Sequence, residues 1–166
     1  GLVGSEMCIR DRPKGLGDAI LRCEEIIGNE NFALLLGDEL VMNENNSFYG
    51  IGDLVRLYKS IKVNNKSLIG VREIKEEDTS KYGIISITDL FSEEKVVKVN
   101  DMIEKPNCNP PSNIASVGRY ILDNNMFKYL HELSKEIIYP KELGITEAIK
   151  IACKMDNVYA YSCLLY

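Results

Sequence analysis

The residues best suited to chemistry in this chain lie in Asp101-Met-Ile-Glu-Lys-Pro106 and, soon after, in Asn113-Ile-Ala-Ser-Val-Gly-Arg-Tyr120. In the first segment an acid and a base stand side by side and a proline closes the run. The Glu104 carboxylate can accept hydrogen bonds from sugar hydroxyls, and the Lys105 ammonium can set a compact positive charge on a phosphate. Pro106 cannot donate to a sheet ladder, so a strand ends just after the pair. One reading is a polar pair presented at the mouth of a cleft. The other is an exposed Glu-Lys pair before a turn, since charged residues are common on surfaces.

Other segments carry weaker signals. Lys14-Gly-Leu-Gly-Asp-Ala19 puts two glycines before a helix. Glycine lets backbone approach a flat ring or a phosphate closely, and a helix start offers unpaired N–H groups. The segment is not a dinucleotide fingerprint, because Ile20 stands where a third glycine is needed. Asp38 follows an apolar run, a position that suits a Mg²⁺ ligand, since this ion takes one or two carboxylates plus phosphate oxygens. A turn aspartate after Gly37 is the alternative. Gly83, in Lys81-Tyr-Gly83, opens a strand where a sugar ring could pack. His131, on a predicted helix with Phe127 and Leu130, reads as a structural or surface residue.

Composition narrows the classes these residues could serve. The 166 residues suit one domain with a sizeable core, and a hydrophobic fraction of 45% is that of an ordinary globular protein. The formal net charge of −5 argues against nonspecific nucleic-acid binding, which needs a basic face. A small anion held by a few placed cations stays open. No apolar run approaches the ~20 residues of a membrane-spanning helix. The five cysteines are scattered and there is one histidine, so a zinc site is not expected. An odd, unpatterned cysteine count fits reduced thiols in a cytoplasmic protein.

The elements that must position these residues follow from periodicity. Ala19, Ile20, Cys23, Ile26 and Ile27 recur at helical spacing up to Gly28-Asn29. Phe32 to Leu36 reads as a fully buried strand. Asp53 to Ile61 is a predicted helix, Ser67 to Arg72 a buried strand, Ile74 to Ser80 a charged loop and Tyr82 to Ile87 a strand. A turn is expected at Glu93-Glu94. Lys95 to Glu104 is a long strand, with Val97, Val99 and Asp101 on one face and Val96, Lys98, Asn100 and Met102 on the other. Ile114 to Leu122 is a strand, Asn124 to Leu133 and Ile145 to Met155 are helices, and Val158 to Tyr161 is a last strand. Buried strands alternating with amphipathic helices predict a layered α/β domain with a mixed, mostly parallel sheet. Ligands in such folds sit beyond the carboxyl ends of strands, where Asp38 and the Glu104–Lys105 pair fall.

The ends read differently. Residues 1–12 have no clear period, lack the pattern of a signal peptide, and resemble a translated sequencing adapter; residues 163–166 resemble the start of another. The expected division is therefore a non-native segment 1–12, a partial domain 13–162 truncated at both ends, and a non-native tail 163–166.

Six segments in order resemble the bacterial UTP–glucose-1-phosphate uridylyltransferases of the sugar nucleotidyltransferase family. They are Lys14-Gly-Leu-Gly-Asp-Ala19, Leu34-Leu-Leu-Gly-Asp-Glu-Leu40, Ser80-Lys-Tyr-Gly-Ile-Ile85, Ile103-Glu-Lys-Pro106, the run from Pro111 to Leu122, and Glu142-Leu-Gly-Ile-Thr-Glu-Ala-Ile149. The resemblance implies a nucleotide-binding, Rossmann-like fold and a Mg²⁺-dependent transfer of a uridylyl group from UTP to glucose 1-phosphate, giving UDP-glucose and pyrophosphate. It implies Gly17 against the uracil, Asp38 holding Mg²⁺, Gly83 near the glucose, Glu104 on sugar hydroxyls, Lys105 on the sugar-side phosphate and Gly118 passing close to the sugar. It also implies a cytoplasmic enzyme, a homo-oligomer when full length, without nucleic-acid or membrane partners. Gly144 and Glu147 depart from the family's glutamine and aspartate. The alternatives are a related transferase such as a thymidylyltransferase, or a noncatalytic nucleotide-sugar-binding module.

The family's Gly-x-Gly-Thr-Arg loop and second metal aspartate are expected beyond the two adapter-like junctions. Residues 1–166 alone are therefore expected to be inactive, since nothing would align the triphosphate for in-line attack. Assay of the purified chain with UTP, glucose 1-phosphate and Mg²⁺ checks this; turnover within the usual enzyme range of about 1–10³ s⁻¹ would overturn it.

Overall fold

The computed structural model describes residues 14–37, 51–60, 66–89, 96–138 and 140–162. Adapter-like residues 1–12 and 163–166, the turn at Glu93-Glu94 and Asp38 all lie outside the described residues. The strands are β1 (Phe32–Leu35), β2 (Ser67–Glu73), β3 (Gly83–Ile87), β4 (Val96–Glu104), β5 (Ile114–Leu122) and β6 (Val158–Ser162). The helices are α1 (Leu16–Leu21), α2 (Glu24–Ile27), α3 (Ile51–Ser60), α4 (Asn125–Ser134) and α5 (Thr146–Lys154), with a 3-10 turn at Glu76–Lys81.

One sheet in the order β1-β5-β2-β6-β4-β3 forms the middle layer. α1, α4 and α5 pack on one face around Ile69, Val71, Ile85, Tyr120, Leu122 and Ile149. On the other face α3 packs Leu54 against Leu68 and Ile121. The alternation of β2 and β5 makes this possible, since odd and even residues serve opposite layers.

The sheet is mixed, as expected, but not mostly parallel. Among the described residues β2–β6 is the one parallel pairing, and the other five are antiparallel. β1, β2 and β6 do run the same way, but β5 is inserted between β1 and β2 against both. β3 and β4 are joined by residues 88–95, too short for the dozen or more residues a parallel crossover needs.

Three local expectations also change. The helix predicted over Ala19–Ile27 breaks at Arg22-Cys23 into α1 and α2, where Cys23 N–H donates to Ile20 O at 2.9 Å. Ile26 is left 85% exposed. β1 is not fully buried: Phe32 and Leu34 face the core, while Leu35 is 48% exposed. In β4 the predicted alternation is interrupted. Ser86 pairs with Asp101, but the next residue, Ile87, pairs with Val99, so Asn100 is an extra residue, a β-bulge. A one-residue insertion turns every later side chain over. Met102 therefore joins Val97 and Val99 in the core, and Glu104 follows on the same face.

The bulge sets a measurable order. Met102, 1% exposed, should lose about 2–5 kcal/mol on truncation to Ala, and half-buried Ile103 distinctly less. Urea unfolding of Met102→Ala and Ile103→Ala measures both; uninterrupted alternation requires the reverse order.

Candidate functional site

β5 makes its ladder to β2 along most of its length on one edge. Its other edge is shared. Residues 119–122 pair with β1, while Ala115 pairs with Ile84 of β3. β1 and β3 diverge between these two points, and a cleft of about 480 Å³ opens beside Ser116 and Gly118. That volume suits a small molecule. One wall is Lys81, Tyr82 and Gly83 with Met102, Glu104 and Lys105; the facing wall is the 142–147 segment with Gly15 and Leu16.

The local causes can be traced strand by strand. Gly118 sits at φ +61°, where side chains are disfavoured, and a Cβ there would lie 3.0 Å from the Cβ of Leu36. Leu36 N–H donates to Gly118 O at 2.9 Å, and Arg119 donates to Leu36 O at 2.8 Å. The end of β1 is thus laced to β5 at the fork. Below, Ser116 Oγ donates to the Tyr120 hydroxyl at 2.8 Å, and both are buried at the cleft floor.

The Glu104–Lys105 pair ends β4 at the cleft. The Thr146 hydroxyl donates to Glu104 Oε2 at 2.7 Å, tying the carboxylate to the first residue of α5. The Glu104 side chain is half exposed. The bond is therefore worth nearer the ~1 kcal/mol of an ordinary hydrogen bond than the larger figure for a buried charge. Lys105 Nζ lies 3.9 Å from Glu104 Oε1 and is largely solvent-facing. The Lys105 backbone is at φ +44°, and its N–H donates to Tyr82 O at 3.0 Å. Pro106 behind it is buried. A non-glycine residue in this region costs about 1 kcal/mol or more, so the bond to Tyr82 and the seating of Pro106 hold it.

Lys81 is a second cation on the same wall. It donates to Asp78 Oδ1 at 2.6 Å, and that hydrogen bond holds the Asp78 carboxyl below and the Lys81 ammonium above their ordinary ranges. Cys153, on the buried face of α5, has its thiol pushed up to about 12 by burial, which keeps it protonated near neutral pH.

The structure thus brings Gly83, Glu104, Lys105 and Gly118 around one cleft. Gly17 is buried beneath it. Its N–H donates to Leu143 O at 2.8 Å, and a Cβ would collide with Leu143 and Leu130. The neighbours Gly15 and Leu16 line the cleft instead. Sequence reasoning passed over Thr146, Ser116 and Tyr120. Thr146 carried a readable signal, a hydroxyl residue at a helix start within a marker segment. Ser116 and Tyr120 become visible only through the fork. His131 lies away from the cleft, with Nε2 2.6 Å from Glu24 Oε2.

The two glycines predict different losses. Gly118→Ala meets Leu36 at a positive φ and should cost roughly 1–3 kcal/mol in thermal or urea melts. At Gly83 a Cβ meets the flexible Cε of Met102 and, at 3.2 Å, Glu104 Oε2. Gly83→Ala should therefore melt closer to the parent while crowding the carboxylate. Equal melts for the two variants would contradict this.

The family described as nucleotidyl transferase matches residues 3–164. The chain is 37% identical over 150 residues to UTP–glucose-1-phosphate uridylyltransferase 1 of Staphylococcus saprophyticus, covering 90% of this chain and 49% of that protein. It is 35% identical over 149 residues to UTP–glucose-1-phosphate uridylyltransferase YngB of Bacillus subtilis, covering 89% and 47%. Among solved structures, a UDP-glucose pyrophosphorylase complexed with UDP-glucose superposes with a TM-score of 0.77 at 36% identity, over 91% of this chain and 55% of that one. The chain spans about half the length of the curated relatives it matches.

Proposed function

Since the chain belongs to the nucleotidyl transferase family, we propose that it supplies the sugar-phosphate side of an enzyme that transfers a uridylyl group from UTP to glucose 1-phosphate. The products are UDP-glucose and pyrophosphate. The observation that carries this reading is the convergence of Glu104, Lys105, Gly83 and Gly118 on one cleft, in a chain whose relatives bear that activity in their names.

The chemistry asks little covalent help of the protein. The nucleophile is a phosphate oxygen of glucose 1-phosphate, already anionic near neutral pH, so no general base is required. It attacks the α-phosphorus of UTP, the bond to the β-phosphate oxygen breaks, and pyrophosphate leaves with that electron pair. The obstacle is bringing two anions into line. Lys105 offsets the charge of the sugar phosphate. Glu104 keeps Oε1 and its remaining lone pairs for sugar hydroxyls while Thr146 holds Oε2. Glycine at 83 leaves room beside that carboxylate, and the backbone of Gly118 passes along the sugar. The uridine end lies across Gly15 and Leu16, and Gly17 serves it by letting this segment sit close against Leu143.

A divalent metal, Mg²⁺, fits the reading and would neutralise charge on the triphosphate when bound. Among the described residues no cluster of three or more acidic, His or Cys side chains forms a protein cage. Mg²⁺ needs only one or two carboxylates besides phosphate oxygens, and Asp38, outside the described residues, is the proposed ligand. The free thiols of Cys23, Cys108 and Cys153 support a reducing, cytoplasmic setting. No helix among the described residues is long and apolar enough to cross a membrane. The full-length enzyme is proposed to be a homo-oligomer.

In the full-length protein Lys105→Ala should lose a charge-assisted contact worth roughly 1.5–3 kcal/mol, and turnover should fall about tenfold or more. Lys75→Ala, at a largely exposed side chain on the charged turn, should change little. A pyrophosphate-release assay compares them; equal rates would remove Lys105 from its role.

A further inference from the structure

Behind the cleft, on the α3 face of the sheet, Arg72 of β2 pairs with Ala115 of β5, which pairs with Ile84 of β3. The three form one row across the sheet. Two residues before Ile84 is Tyr82, and Arg72 reaches it: the guanidinium carbon lies 5.6 Å from the ring centroid, and NH2 donates to the hydroxyl at 3.3 Å. Arg72 Nε is buried without a hydrogen-bond partner. The cation–π contact and the hydrogen bond hold the guanidinium against the Tyr82 ring. Tyr82 in turn is the residue whose carbonyl accepts the Lys105 N–H at 3.0 Å. That bond restrains the left-handed backbone from which the Lys105 ammonium is presented.

We propose that Arg72 is a positioning residue for sugar-phosphate binding: clamped on Tyr82 from the rear of the sheet, it fixes the Tyr82 carbonyl and thereby the backbone of Lys105. Arg72 touches no substrate. Its influence passes through one ring and one backbone hydrogen bond, so it is selective for the sugar-phosphate end of the site. The consequence for substrate rests on the functional reading above; the mechanical link from Arg72 to Lys105 does not.

The test uses Arg72→Gln, Tyr82→Phe, Lys105→Ala and the Arg72→Gln/Lys105→Ala double variant in the full-length protein, with two readouts. In amide hydrogen exchange, Arg72→Gln should speed exchange at Lys105 roughly fivefold, the loss of about one cation–π or hydrogen-bond contact, while the ladders of β2 and β5 keep their protection. In steady-state kinetics it should raise KM for glucose 1-phosphate by a similar factor and leave KM for UTP unchanged. That increase should vanish in the Lys105→Ala background, because residues acting through one another are not additive. Tyr82→Phe, which keeps the ring under the guanidinium, should show a smaller shift of the same kind and serves if Arg72→Gln fails to fold. Unchanged exchange at Lys105 overturns the clamp, as does an equal rise in both KM values. A parent protein that makes no UDP-glucose, with Lys105 still loosened by Arg72→Gln, would count against the functional reading and leave the clamp standing.

Discussion

One edge of β5 is divided between two strands, and the cleft exists because of that division. A strand edge offers a row of backbone groups that a single neighbour would normally cover. Here β1 takes residues 119–122 and β3 meets the edge at Ala115. Between them the chain bends at Gly118, where positive φ and the close approach of Leu36 tolerate no side chain without displacement. A gap in the ladder is thereby lined with backbone and small residues at the carboxyl end of β4. The layers above and below then decide what enters: α5 and the 142–147 segment wall one side, and the row Arg72–Ala115–Ile84 closes the rear.

Polar side chains reach this gap through departures from regularity. Without the extra Asn100 in β4, Glu104 would point toward the α3 layer, with Ile103 in its place over α5. With it, the carboxylate meets Thr146. Lys105 leaves the strand through a backbone conformation that most residues avoid. The energies involved are each about 1 kcal/mol, small against the burial of Met102, Ile85 and Val99 beneath them. The core sets the framework, and the irregularities aim the two charged groups.

Much of the framework was legible in the residues. β5 matches its predicted span of Ile114 to Leu122, and α4, α5 and β6 differ from their predicted bounds by no more than one residue at either end, because their apolar periods are strong and their ends are marked by Asn, Gly or Asp. Six segments in order carried the resemblance to the family, and that resemblance implied a grouping of Glu104, Lys105, Gly83 and Gly118 together with Gly17, which lies beneath the cleft, and Asp38, which lies outside the described residues. Strand direction did not, because insertion of β5 between β1 and β2 joins residues far apart in sequence and leaves no local trace. The β4 bulge was equally hidden: Asn100 and Asp101 look like two ordinary alternating positions, and only the pairing with β3 reveals the extra one. The Arg72–Tyr82 contact was concealed for another reason: the two are only ten residues apart, but the charged stretch between them reads as a solvated loop.

The place of β5 between β1 and β2 also sets the order in which this domain can come together during synthesis. β1 and β2 leave the ribosome before β5, yet neither pairs with the other; each is bonded to that later strand, Phe32 to Leu122 and Leu68 to Ile121. Long-range pairing of this kind is slow because the intervening chain must be closed into loops before any contact rewards it. Until Leu122 has emerged, the edges of both early strands that β5 will cover are unpaired, and unpaired edges of this kind are prone to aggregate.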